Sequence, residues 1–274
     1  MTDKALFSPG AVVAPVINWL NANAHGFFNA ISVAVDASLD AVEAALLLLP
    51  APLMAALIVA LVLWRQGLRM ALLAVGCLAV AGLSGLWEET MQTVALVSIS
   101  VLIAVAIAFP LGILAARRPR LEAALRPILD LMQTVPPWVY LIPAVMIFSL
   151  GKVPAMLATV IYGIPPMLRI TTLAFKQVPR ELVELGAASG ATPFQTLTKI
   201  EIPSARKTLL LGLNQCILLS LAMVVLAGLV GAGGLGAEVT RGLTRMEMGL
   251  GLRSGLAIVA VAIFLDRISR KALE

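Results

Sequence analysis

The chain has 274 residues, of which 60% are hydrophobic and 13% charged, with a formal net charge of +5. Soluble domains of this size run near ~45–50% apolar and ~25% charged, and so few charges cannot cover a water-facing surface. The balance excludes a secreted disulfide scaffold, a nucleic-acid-binding domain and a disordered chain, and it points to an all-α polytopic membrane protein.

Residues 1–43 read as an N-terminal external or interfacial segment. Pro9, Pro15 and several Asn leave no clean apolar run of the signal-peptide kind. His25, the only histidine, stands in a polar stretch without metal-ligand company and reads as a surface residue. Within 27–43, Asp36, Asp40 and Glu43 recur at i, i+4 and i+7 and put an acidic face on an otherwise apolar helix. That pattern predicts a helix lying in the membrane interface.

A bilayer-spanning helix needs about 20 largely apolar residues. Seven windows qualify: 44–64, 68–87, 92–116, 127–150, 153–175, 208–230 and 250–266. Cys77 and Cys216 lie inside them and read as small buried hydrophobes. Trp64 and Trp87 stand at span ends, as interfacial belt residues do. With the N-terminus outside and the C-terminus inside, 15 Lys and Arg fall on the cytoplasmic side and five on the other. The positive-inside rule favours that orientation. Pro136, Pro137 and Pro143 interrupt the fourth window, and Pro165 and Pro166 the fifth. Each removes a backbone donor and predicts a kink, tolerated in lipid only where neighbouring helices or water take up the freed carbonyls.

Between the fifth and sixth windows, residues 176–207 form a long polar segment. Pro179 suits a first helical position, and Gly190 suits the residue just past a helix end, where φ > 0 is needed. Thr192, with Pro193 at N1 and Gln195 at N3, is a capping box that starts a second helix. Ile200-Glu-Ile-Pro203 is expected to end that helix and lead back to the membrane. Leu185, Phe194 and Leu197 offer an apolar side for docking a soluble partner; a structured connection is the competing reading.

Glu184, Gly190, Ile200 and Pro203 stand at the spacing of the cytoplasmic EAA loop of ABC importer permeases, which this segment resembles. Leu185 and Gly186 replace its two alanines and Ile202 its leucine, and Gly186 is expected to loosen the first helix. Other motifs resemble permeases of the glycine betaine/proline (quaternary-amine) uptake family: Leu131 to Pro143, Tyr162 to Arg169, Asn214-Gln215, Met223-Val-Val and Gly233-Gly-Leu-Gly236. The resemblance covers about residues 90–270. It implies a type I importer fold, with a five-helix core over 88–274 and two peripheral helices at 44–87. It also implies a homodimer in the bacterial cytoplasmic (inner) membrane, an ABC ATPase that binds ATP and Mg, and a periplasmic or extracellular binding protein. The expected solute is glycine betaine, choline or proline betaine. Glu184, Ala187, Gly190, Thr192, Phe194, Ile200 and Pro203 become the expected ATPase-coupling residues.

No G-x-x-x-x-G-K-[ST] occurs, so nucleotide hydrolysis is expected from the partner, and no cofactor or metal from this chain. Gly231-Ala-Gly-Gly-Leu-Gly236 fits the dinucleotide pattern but follows a span rather than a strand. It reads as a flexible turn into a short external helix at about 237–247. Gln133, Asn214 and Gln215 are polar groups inside spans, either pathway lining or helix–helix glue. Trp138 and Tyr140 invite a cation–π reading, but they lie about 200° apart around a helix, so at most one faces a path. Asp130 and Arg169, near the inner ends of consecutive spans, are expected either to pair and steady the loop or to reach separately for water. An ion-coupled transporter would need midplane acids and inverted repeats; a membrane scaffold would need no ATPase.

Overall fold

The computed structural model describes residues 9–272. Among them the regular elements are helices and no strand occurs. In chain order they are α1 (Pro9–Leu46), α2 (Ala51–Gln66), α3 (Leu68–Leu83), α4 (Trp87–Arg117), α5 (Pro119–Thr134), α6 (Pro137–Phe148), α7 (Lys152–Lys176), α8 (Arg180–Ala188), α9 (Pro193–Thr196), a π turn (Leu197–Glu201), α10 (Ile202–Leu229), α11 (Gly234–Thr244) and α12 (Met248–Ala272). Prolines open several of them, because a missing N–H costs nothing in a first turn: Pro52, Pro119, Pro137 and Pro193 each stand at N1 or N2. The 31-residue α4 has Glu88 and Glu89 in its first turn and Arg117 in its last, matching its dipole.

The core is the junction of α4, α7 and α10. Small residues let these backbones approach, as packing within lipid requires. A Cβ at Gly112 would meet the Thr171 Cβ at 2.6 Å, and one at Gly163 the Cys216 Sγ at 3.0 Å. Thr172 Oγ1 donates to the Gly112 carbonyl at 3.2 Å and joins α7 to α4. Asn214 is buried, and Ser269 on α12 donates to its Oδ1 at 3.4 Å.

Three expectations about the spans change. The 127–150 window is not one rod: α5 and α6 meet at 92° across Pro136. At 12 residues, α6 covers about 18 Å, short of the ~30 Å hydrocarbon core. Pro165 and Pro166, by contrast, do not interrupt α7, which continues through them and buries both. The 44–64 window is broken as well, because α1 runs to Leu46 and α2 leaves at 90°. Among the described residues four helices are long and apolar enough to span, and up to six if each bent pair is one span; α3 is a shorter apolar helix.

At the end of the bundle that carries the 149–151 and 230–233 connections, α1 lies against α4, α6 and α7. Asn21 Nδ2 donates to the Met146 carbonyl, Phe28 packs edge-on to Phe148 at 5.6 Å, and Leu39 is buried. Lys152 donates to Asp40 at 2.8 Å and to Glu43 at 3.0 Å, so two of the three acids in the acidic stripe face a partner. His25 is exposed.

The glycine-rich turn at this end is not loose. Gly231, Gly233 and Gly234 all have positive φ. The Gly234 amide donates to Gln92 Oε1 and the Leu235 amide to Thr93 Oγ1, each at 2.9 Å, so α4 caps the start of α11. A Cβ at Gly236 would sit 1.9 Å from the Val224 carbonyl oxygen. Backbone packed this closely admits only glycine, and α11 starts three residues earlier than the sequence pattern predicts.

Candidate functional site

At the opposite end of the bundle, the 177–201 segment is built from local chemistry upward. Pro179 is the N-cap of α8 rather than its first helical residue, and Glu181 stands in the first turn. The helix closes in a Schellman motif: the Gly190 amide donates to the Ala187 carbonyl and the Ala191 amide to the Gly186 carbonyl, each at 3.0 Å. Gly190 carries the φ of +76° that this motif needs. Thr192 then caps α9 in a full capping box: its Oγ1 accepts from the Gln195 amide and its own amide donates to Gln195 Oε1 at 2.8 Å.

Pro203 does not end this second helix. The chain passes through the π turn straight into α10, making one helix from Pro193 to Leu229 of 37 residues. A wide i→i+5 turn accommodates a proline that would break an α-helical ladder. Nor does Gly186 loosen α8. It is buried where α8 meets the π turn, and a Cβ there would approach Ile200 Cδ1 at 2.5 Å.

The segment is therefore a hook with a shared hinge block, and its outer face is free in this chain. Glu184, Ala187, Gly190, Thr192, Phe194 and Pro203 are exposed, while Ile200 is half-buried in the joint. Leu185 is 63% and Phe194 72% exposed, two large apolar side chains with nothing over them. Arg117, the last residue of α4, donates to Glu201 in the π turn at 2.6 Å and ties the hook to the core. Sequence reasoning missed this pair: the two residues are 84 positions apart, and only the arginine at the end of a span gave any signal.

Beside the hook, α5 lies against α7 over a cleft of about 420 Å³. Glu122, Arg126 and Asp130 follow at i, i+4 and i+8 on α5, and Arg169 and Lys176 face them from α7. Arg169 donates to Asp130, Lys176 donates to Glu122, and Arg126 donates to Glu122 at 3.0 Å. The hydrogen bond from Lys176, then that from Arg126, holds the Glu122 carboxyl below its ordinary range.

The four pathway candidates differ in exposure. Asn214 turns inward to α12, and Gln215, the next residue, is exposed on another side of α10. Gln133 is exposed near the end of α5, and Trp138 is 50% exposed on α6. Tyr140 fixes the bend instead: its hydroxyl donates to the Leu131 carbonyl at 2.9 Å, across the break. No group of three or more His, Cys, Asp or Glu able to hold a metal occurs among the described residues.

Comparison with known proteins extends this geometry. Residues 108–269 match the family described as binding-protein-dependent transport system inner membrane component. The glycine betaine/proline betaine transport system permease protein ProW of Escherichia coli is 40% identical over 97% of this chain and 75% of its own length. The glycine betaine transport system permease protein OpuAB of Bacillus subtilis is 40% identical over 94% of this chain and 92% of its own. Among solved structures, a chain of the MetNI methionine ABC transporter in inward-facing conformations superposes with a TM-score of 0.56 at 24% identity. It covers 66% of this chain and 92% of that one, and it shares the fold.

Proposed function

The chain belongs to the family of binding-protein-dependent transport system inner membrane components, and from that membership we propose that it is the permease of an ABC importer carrying a quaternary-amine osmolyte, glycine betaine or proline betaine, into the cytoplasm. The names of relatives 40% identical over nearly the whole chain support the solute class. The observation that carries the mechanism is the exposed hook at 180–201, capped at both of its internal ends and continuous with α10.

In this reading the hook faces the cytoplasm and seats in a groove of a separate ATPase, which binds ATP and Mg. Phe194 and Leu185 enter the groove as apolar anchors, and Glu184 meets a basic rim. Gly190 and Thr192 hold the angle between the two short helices, and Ala187 keeps the face flat. Ile200 and Pro203 pass the motion into α10. The Asp130–Arg169 pair steadies the neighbouring α5–α7 joint. The N-terminus lies outside, with α1 along the outer interface of a bacterial cytoplasmic membrane. The C-terminus lies inside, a second copy completes the path, and a binding protein delivers the solute from outside. Gln133, Trp138, Asn214 and Gln215 are the groups to test along that path.

The test is reconstitution of this chain with its ATPase and binding protein in liposomes, following glycine betaine uptake and ATP hydrolysis together. Truncating an aromatic anchor at an interface costs about 2 kcal/mol or more. Phe194→Ala is therefore expected to weaken ATPase retention about 30-fold and to lower uptake with it, while membrane insertion is unchanged. Uptake that proceeds without ATP, or full retention in the variant, overturns the reading.

A further inference from the structure

The first helix, α1, lies outside the residues matched to the family, and it bridges a turn whose backbone is under strain. Ser149, between α6 and α7, has φ +64° and ψ −176°. That region of backbone space is essentially reserved for glycine. Gly151 has φ +148°, and its amide donates to the Val230 carbonyl at 2.8 Å, which ties the turn to the end of α10. Ser149 and Leu150 are exposed, so burial at the turn itself does not offset the strain.

A non-glycine residue keeps such a conformation only where its surroundings over-determine it. Apart from the Val230 contact, those surroundings are supplied by α1. On the α6 side of the turn, Asn21 donates to the Met146 carbonyl at 3.0 Å, an acceptor in the last turn of a helix. Phe28 packs edge-on to Phe148 on the same side. On the α7 side, Lys152 donates to Asp40 at 2.8 Å and to Glu43 at 3.0 Å. The Lys152 side chain is 28% and that of Glu43 14% exposed, so water screens this grip less than it screens a surface pair. One helix therefore grips both arms of the strained turn.

We propose that α1 is a strap that holds the α6–α7 turn in its strained form, with Lys152 as the pin. Releasing the pin lets Ser149 relax and α6 swing relative to α7. The bend with α5 moves with it, because Tyr140 on α6 is bonded to Leu131 on α5. The strap rests on the fold alone; only its consequence for import rests on the permease reading.

The experiment is hydrogen exchange by mass spectrometry on the full chain in phospholipid nanodiscs, read over residues 144–151. Lys152→Met unpins the strap and speeds exchange there about fivefold, whereas Lys152→Arg keeps the parent rate. Ser149→Gly relieves the strain and slows exchange by about fivefold. A contact that only props the fold predicts no slowing in Ser149→Gly. Parent-like exchange in either Ser149→Gly or Lys152→Met overturns the proposal. If Lys152→Met does not insert, Asp40→Asn combined with Glu43→Gln decides by the same readout. In the reconstituted importer, Lys152→Met and Ser149→Gly move glycine betaine uptake in opposite directions. Shifted exchange with unchanged uptake overturns the strap's part in import. A parent chain without uptake overturns the permease reading instead, and the exchange result still decides the strap.

Discussion

A methyl added at Gly186 stands 2.5 Å from Ile200 Cδ1, and a methyl added at Gly236 stands 1.9 Å from the Val224 carbonyl oxygen. The first obstacle is the tip of a side chain that can turn, at about 1 kcal/mol for an off-rotamer angle. Alanine also recovers about 1 kcal/mol of helix propensity over glycine. Gly186→Ala is therefore expected to be neutral within about 0.5 kcal/mol by thermal melting, whereas Gly186→Leu forces α8 off the π turn. The second obstacle is backbone and cannot move aside. Gly236→Ala is expected to cost about 3 kcal/mol or more, read as lost folded yield, and a normal melting temperature would refute the close approach of α10 and α11. Reversing Asp130 or Arg169 singly should lower uptake and reversing both should restore it. Because both side chains are largely exposed, stability should change by no more than about 1 kcal/mol.

Among the elements, two proline pairs had opposite fates. Pro136-Pro137 turned the chain by 92°, while Pro165-Pro166 stayed inside a continuous α7. Nothing local separates them. The second pair is buried in the core junction, where packing holds the helix together, and the first is flanked by the exposed α5. A hydropathy window sums residues without regard to direction, so it reported 127–150 as one span. Caps were legible for the opposite reason: the Thr192–Gln195 box and the Gly190 turn need only residues within a few positions of each other. The Arg117–Glu201 tie needs the fold, and so does the continuation of the helix through Pro203, which sequence alone reads as a stop. That tie predicts a function for α4: Arg117→Glu should raise ATP hydrolysed per solute imported, by up to about fivefold for a partly exposed pair of about 1 kcal/mol. Adding Glu201→Arg should return the ratio to normal, and no recovery would remove the pair from the coupling path.

For the whole molecule, acid is expected to open one joint first. Glu122 is held ionised by Lys176 and Arg126, so its folded-state value lies below the unfolded one. Such a group stabilises the α5–α7 contact above the ordinary carboxylate value of about 4.3, and that contribution fades as pH falls through the depressed folded value. Hydrogen exchange should therefore speed up in α5 ahead of α4 and α10 on acidification below about pH 4, and Glu122→Gln should remove the difference between pH 7 and that range. Uniform acceleration would place the weak point elsewhere. The 37-residue run from Pro193 to Leu229 reaches roughly 55 Å at 1.5 Å per residue, and α11 is locked onto its far tip through Gly228 and Gly236. A beam gripped at both tips transmits torque either way, and linkage between two such grips is reciprocal. If the hook seats in an ATPase as proposed, strain at the far tip reaches the near one along this single helix, with no relay of side chains in between.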